Sequence, residues 1–437
     1  MSGRLGSTAR RAAPLATCLV VLATAAAHAT LSSWGPTTQL PRPYSWNYGN
    51  ALESRGSGST FRLIDVFASD ATAPQAVYTT SSHDGITWSR ARRLSGTDVN
   101  AENPTIAAAG GTMIAGWMTG FSPYDPPGAP RRVQVAVSAD RGTSWGAPKD
   151  LSPRGGAVDY PVVAAGRTSF GATNLYAVWI DAGTGRVRFR ERSDGTPWSP
   201  PISIGATTRR TGTGFSGFAN VSAVGDLVVV AWVGDAHGTV KARAIDLGTA
   251  GSATAAADRD RWGARTTMSE PVSLGQHGYP VVSSSRAVPG VATIAWNTKT
   301  SQVFTTVTGE TIDPSPATIW DDGALGSRAY TGGYATAVEP APGGFVATWA
   351  ACRDTALVRD CNIGKADARV DVLVSTSTDG TTFTDPAVLA NARASGLRIN
   401  DAPSIVATSD HVYVQFDGAT PNRSAYDVFA RVATGSP

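Results

Sequence analysis

The chain has 437 residues, among them 47 glycines, 27 prolines and 12 tryptophans, and only 16% are charged. That much glycine and proline excludes long helices, and 37 basic against 34 acidic residues excludes the charge excess of a nucleic-acid binder. With no stretch of sustained helical periodicity, many short strands joined by turns are expected.

Arg4, Arg10 and Arg11 precede an apolar run from Leu15 to Ala26, followed by Ala27-His28-Ala29. This is the layout of a secretory signal peptide covering residues 1–29, and it predicts a secreted protein. Arg10-Arg11 could alternatively direct export of the folded chain. Cys18 lies inside the apolar run rather than after it, which disfavours a lipid anchor. Removing 1–29 takes away three arginines and no acid, so the remainder is formally neutral. No second long apolar run exists, and no membrane span is expected. Residues 30–59, with Pro36, Pro41 and Pro43, read as an irregular lead-in to a single domain, 60–437, expected to be a monomer.

Strands are expected at Phe61 to Phe67 and Ala76 to Thr80, and a turn at Ser81 to Trp88. A repeating pattern then begins. Asn103-Pro104 leads to Trp117, Tyr160-Pro161 to Trp179, Ala219-Asn220 to Trp232, Tyr279-Pro280 to Trp296, Gly333-Tyr334 to Trp349, and Ala402-Pro403 to Phe416. Six copies of about 60 residues, each with room for two strands and an outer hairpin, fit four-stranded blades of a β-propeller. Proline suits a strand's first residue, which need not donate to the ladder. Six blades are the favoured count, with strands from the chain start completing the last; seven are the alternative. Cys352 and Cys361 suit a local disulfide in an oxidising exterior, and no nearby histidine suggests zinc.

In a propeller the loops entering the innermost strands meet at one end of the axis. Two places before the proline-equivalent stand Glu102, Asp159, Phe218, Gly278, Gly332 and Asp401; one place later come Asn103, Tyr160 and Tyr279. Acids converging from different blades could work as a glycosidase pair, one as acid and one as base or nucleophile. The same residue types also cap turns, and Glu102, Asp159 and Asp401 could instead hold a structural calcium ion. No other cofactor is called for.

The stretch Ser138-Ala-Asp140-Arg-Gly142-Thr-Ser-Trp145 resembles the Asp-box, or BNR repeat, of sialidase-like β-propellers. Weaker copies start at Ser81, Ser193 and Ser377. The resemblance implies an all-β propeller with Asp-boxes on peripheral turns. It also implies an arginine triad for a substrate carboxylate and a tyrosine nucleophile. Phe61-Arg62-Leu63-Ile64 resembles the family's first arginine motif without its proline. Arg328 and Arg398, with Arg209 and Arg210 nearby, lie near loops that enter innermost strands, and Tyr330 or Tyr279 could be the nucleophile. Two functions follow as expectations. One is a secreted glycoside hydrolase with catalytic Glu102, Asp159, Asp401 and Tyr330 at the axial mouth, and Arg62, Arg328, Arg398, Tyr160, Tyr279 and Asn103 on the substrate. The other is a non-catalytic propeller that binds an extracellular glycan or protein there.

Overall fold

The structure is a computed structural model describing residues 34–40, 50–55, 61–69, 74–98, 100–120, 131–153, 156, 158–211, 214–215, 217–272, 279–298, 301–321, 331–352, 370–390, 399–419 and 426–434. Its strands form seven blades. Blade 1 comprises Asn50–Arg55, Arg62–Ser69, Ala76–Ser82 and Arg92–Arg93; blade 2, Ala101–Ala109, Thr112–Thr119, Arg132–Ser138 and Lys149–Asp150. Blade 3 comprises Val158–Arg167, Thr173–Asp181, Arg186–Ser193 and Ile202–Ala206; blade 4, Asn220–Val224, Leu227–Val233, Val240–Asp246 and Thr266–Thr267. Blade 5 runs through Val281–Ser284, Val291–Asn297 and Ser301–Thr308 to Ala317–Asp321. Blade 6 comprises Thr331–Ala341, Gly344–Cys352, Val370–Ser377 and Ala387–Ala390. Blade 7 comprises Ile399–Ala407, His411–Ala419 and Tyr426–Thr434, with Thr38–Gln39 from the chain start as its outermost strand.

The ring therefore has seven blades, not the favoured six. The six proline-to-tryptophan copies are all complete blades, and the chain start adds a seventh. Blade 1 carries neither marker: its first strand has no proline, and Phe67 stands where blades 2 to 6 have tryptophan. Among the described residues Thr38–Gln39 is the strand that crosses over to close the circle, pairing Thr38 with Ala430 and Gln39 with Phe429. Pairing the two ends removes the exposed edge that an open ring would present.

The first strands of successive blades contact one another all the way round the axis, blade 7 meeting blade 1. Between blades the tryptophans fill the wedges. Trp117, Trp179, Trp232, Trp296 and Trp349 are all at most 1% exposed, each among apolar side chains of its own blade and the preceding one. Phe416 has the same place between blades 6 and 7. Some of the buried indole N–H groups have a hydrogen-bond partner, whereas Trp296 and Trp349 Nε1 are buried without one among the described residues. Trp117 Nε1 donates to Gln134 Oε1 at 3.1 Å, and Trp232 Nε1 donates to the Ala206 carbonyl at 3.1 Å. Gly205 is needed beside Trp232, since a Cβ there would lie 2.4 Å from the indole.

The Ala- and Gly-rich stretch before Trp262 is a short helix, Leu247–Ala250, and two helical turns, Ala255–Ala257 and Arg259–Arg261. Asp246 caps the helix, and Trp262 packs edge-on against Phe189 of blade 3.

The expected Cys352–Cys361 disulfide is a second correction: no disulfide bond is present among the described residues. Cys352 ends a strand, opposite Val370, and Cys361 lies outside the described residues. Nearness in sequence does not by itself supply the close Cα approach that a disulfide needs. Among the described residues no helix is long and apolar enough to cross a membrane. The expected signal segment, 1–29, lies outside them.

Candidate functional site at the axial mouth

Every first strand enters from the same end of the axis, and near that entry four blades carry the same irregularity. Register slips by one residue between Glu102 and Thr105, Asp159 and Val162, Tyr334 and Ala337, and Asp401 and Ser404. Such a bulge bends the strand and re-aims the side chains beside it. The backbone there is strained. Asn103, Tyr160 and Phe218 have φ of 51°, 31° and 43°, and Arg141 is the one other non-glycine described residue with positive φ. A residue held in that region costs on the order of 1–3 kcal/mol, which the surrounding structure must offset.

Pairing to the tryptophan strand fixes the true equivalences. Thr105, Val162, Asn220, Val281, Ala337 and Ser404 each pair with the residue just before the Trp or Phe. Phe218 therefore matches Asn103, Tyr160 and Tyr279, one place later than the sequence alignment put it. In blade 6 the acid position falls on Tyr334, not Gly332. Glu102, Asp159 and Asp401 do share one register position, opposite Met118, Ile180 and Asp417.

The corrected position carries aromatic rings in three consecutive blades, and these stack. Tyr160 lies over Phe218 with centroids 5.0 Å apart, and Phe218 over Tyr279 at 5.4 Å, with interplanar angles of 28° and 26°. All three rings are half-buried. The Arg209 guanidinium sits 5.2 Å from the Phe218 centroid, a cation–π approach. Arg209 Nη1 is buried without a hydrogen-bond partner among the described residues.

Two of the expected acids gather around this stack. Burial, then the charges of Asp159 and Glu102, push the Tyr160 phenol up to about 12, with Arg131 opposing. Asp159 is buried and Glu102 half-buried. Burial lowers the affinity of Arg209 for its proton, and Asp159 partly restores it. The described mouth thus sets two carboxylates against two guanidiniums beside an aromatic stack. No group of three or more His, Cys, Asp or Glu able to hold a metal ion occurs among the described residues. Arg328, Tyr330 and Arg398 lie outside the described residues, and Asp401 is placed by backbone register alone.

No protein-family model matches the chain, and no curated protein matches it. Solved structures do. Over 88% of this chain and 98% of its own, the BP39L lectin of Burkholderia pseudomallei superposes with a TM-score of 0.53 at 12% identity. A Trypanosoma rangeli sialidase in complex with the inhibitor DANA matches over 92% and 58%, at 12% identity and a TM-score of 0.44. The alpha-L-arabinofuranosidase Arb93A of Fusarium graminearum matches over 92% and 98%, at 11% and 0.45. The likeness to the lectin establishes a shared propeller fold.

Arg62 lies at the opposite end. It starts the second strand of blade 1, where the first strand finishes, and pairs with Arg55. Its guanidinium approaches Thr143 Oγ1 at 3.4 Å and His83 Nε2 at 3.5 Å, both on turns that resemble Asp-boxes. Those turns are self-contained. Ser138 Oγ donates to Asp140 at 2.8 Å and accepts from the Gly142 N–H at 2.7 Å, while Asp140 accepts from the Ser144 N–H at 2.8 Å. The Ser144 hydroxyl and N–H, then Ser138, hold the Asp140 carboxyl down at about 2. In blade 1 the working serine is Ser82, one place after the expected Ser81, bonded to Asp84 and Gly85. Ser377 and Asp379 repeat that arrangement in blade 6. At this end Arg286 of blade 5 reaches across the axis to Glu53 of blade 1 at 2.6 Å and the Ala108 carbonyl of blade 2 at 2.7 Å.

Proposed function

We propose that the mouth binds a glycan presented outside the cell and does not cleave it. The observation that carries this is the Tyr160–Phe218–Tyr279 stack at one repeat position of three neighbouring blades, with strained backbone at Tyr160 and Phe218. Aromatic rings offer apolar faces to the C–H side of a sugar ring, and strain retained at a surface site is a mark of binding. Glu102 and Asp159 would accept sugar hydroxyls, and Arg131 and Arg209 would donate to them. Two charges of each sign favour a neutral sugar over a carboxylate-bearing one. The propeller fold shared with a lectin supports binding as a role this architecture can host, and the signal-like residues 1–29 support an exterior location.

A glycan array followed by calorimetry on the best hit tests the proposal. Tyr160→Ala with Phe218→Ala should weaken binding about thirtyfold or more, the effect of losing a hot-spot pair. An array on which the wild type binds nothing removes the proposal. One observation favours a second reading, hydrolysis: both Glu102 and Asp159 act on the Tyr160 hydroxyl from neighbouring blades. Release of reducing sugar that disappears in Glu102→Gln and in Asp159→Asn would establish that reading instead.

A further inference from the structure

A second concavity lies at the Asp-box end, between blades 1 and 2, away from the mouth. It is a cleft of about 640 Å³, and its charged lining is Arg62, Arg90 and Arg92, with no Asp or Glu. Such a volume accommodates a ligand of a few sugar units. Arg90 and Arg92 are exposed, and none of the three arginines forms an ion pair with a described residue. Neutral groups hold two of them in place. Arg92 donates to the Thr143 carbonyl at 2.6 Å, and Arg62 approaches Thr143 Oγ1. His83 contributes too: its Nδ1 lies 2.7 Å from the Phe61 carbonyl, which can only accept, so Nδ1 carries the proton. In the neutral ring Nε2 is then an acceptor facing Arg62.

The nearest Asp-box carboxylates are committed elsewhere. Asp84 accepts from Ser82, Ile86 and Thr87, and Asp140 from Ser138 and Ser144, within their own turns. Three guanidiniums are thus positioned around one cleft without a carboxylate in its wall. Hydroxyls of Thr80, Ser81 and Ser89 complete the lining. Guanidinium forks match the geometry of sulfate and carboxylate groups, and hydroxyls match those of a sugar. The lining holds no aromatic ring on which a nucleobase could stack and no large apolar side chain for an acyl chain.

We infer that this cleft is a second binding site, specific for an anionic saccharide whose sulfate or carboxylate groups are gripped by Arg62, Arg90 and Arg92. It is independent of the mouth and of what binds there. The test uses the full chain and three probes in calorimetry at low salt: a sulfated tetrasaccharide derived from heparin, a tetragalacturonate, and a DNA oligomer of equal charge. Binding of either saccharide supports the site, and the tighter one identifies sulfate or carboxylate as the group recognised. In Arg90→Gln/Arg92→Gln the affinity should fall at least tenfold, and the dependence on salt concentration should flatten, because fewer charges are neutralised. Tyr160→Ala should leave it within twofold. Both substituted arginines are exposed, and an unchanged thermal melt confirms that the variant is folded. The inference is overturned if neither saccharide binds, if DNA binds more tightly than both, if the double variant binds as the wild type does, or if Tyr160→Ala weakens binding as much.

Discussion

The two ends of the propeller are built from the same repeat and use it in opposite ways. At the mouth the first strands bulge, non-glycine residues sit at positive φ, and rings, carboxylates and guanidiniums meet half-buried. At the Asp-box end the turns satisfy their own polar groups, and Arg286 crosses the axis to bridge blades 1, 2 and 5. The first arrangement spends stability to aim side chains; the second supplies it. Three of the four strained non-glycine residues lie where the chain presents groups, and the fourth, Arg141, sits in a turn that closes its own hydrogen bonds.

The largest effects should come from exchanging these roles. Replacing Tyr160 and Phe218 by alanine should abolish most glycan affinity, whereas Asp140→Asn together with Asp379→Asn should leave affinity within twofold. Calorimetric titration of each variant with the same glycan makes the comparison, and equal losses would erase the distinction between the ends.

Next comes Arg286→Ala. It removes charge-assisted bonds to Glu53 and Ala108 and should cost about 2 kcal/mol in denaturant unfolding. Glu339 gives this loss a pH dependence. Burial, then the charge of Glu53, raises its carboxyl well above the ordinary range, with Arg286 pulling the other way. A raised carboxyl gives stability that is complete at low pH and falls as pH rises, because the unfolded chain releases its proton first. Without Arg286 the carboxyl rises further, so the deficit of the variant should be larger at pH 8 than at pH 5.

Asp140 supplies a smaller effect of opposite sign. Its carboxyl is depressed to about 2, so its contribution is complete above pH 4 and lost as pH falls through 2. The melting temperature of Asp140→Asn should lie below that of the wild type at pH 7, and the gap should close near pH 2. Asn103→Gly should have the least effect. Glycine accepts φ of 51° without strain, so stability should hold or rise by up to about 1 kcal/mol, as thermal melts would record.

Much of the architecture could be read from the residues. The proline-to-tryptophan repeat marked six of the blades, and the turn at Ser138, Asp140 and Gly142 closes on its own hydrogen bonds. Blade 1 escaped because its first strand lacks proline and Phe67 replaces the tryptophan. The same kind of gap shifted the alignment in blades 4 and 6, where Ala219 and Thr336 stand at the proline position. That shift hid Phe218 among the expected acids, so the ring stack could not be foreseen. Its available signal was an aromatic residue entering a first strand, as in Tyr160 and Tyr279.

By itself the sequence determined an all-β repeat with buried tryptophan wedges and acids at a shared position in three units. These follow from local patterns: alternation, turn chemistry and residue size. Tertiary structure alone decided that seven units close the ring through Thr38 and Gln39, that Tyr160, Phe218 and Tyr279 stack, and that Arg62 faces the end opposite Glu102 and Asp159. Each of these depends on hydrogen-bond register between strands distant in the chain, where a slip of one residue sends a side chain to the other face.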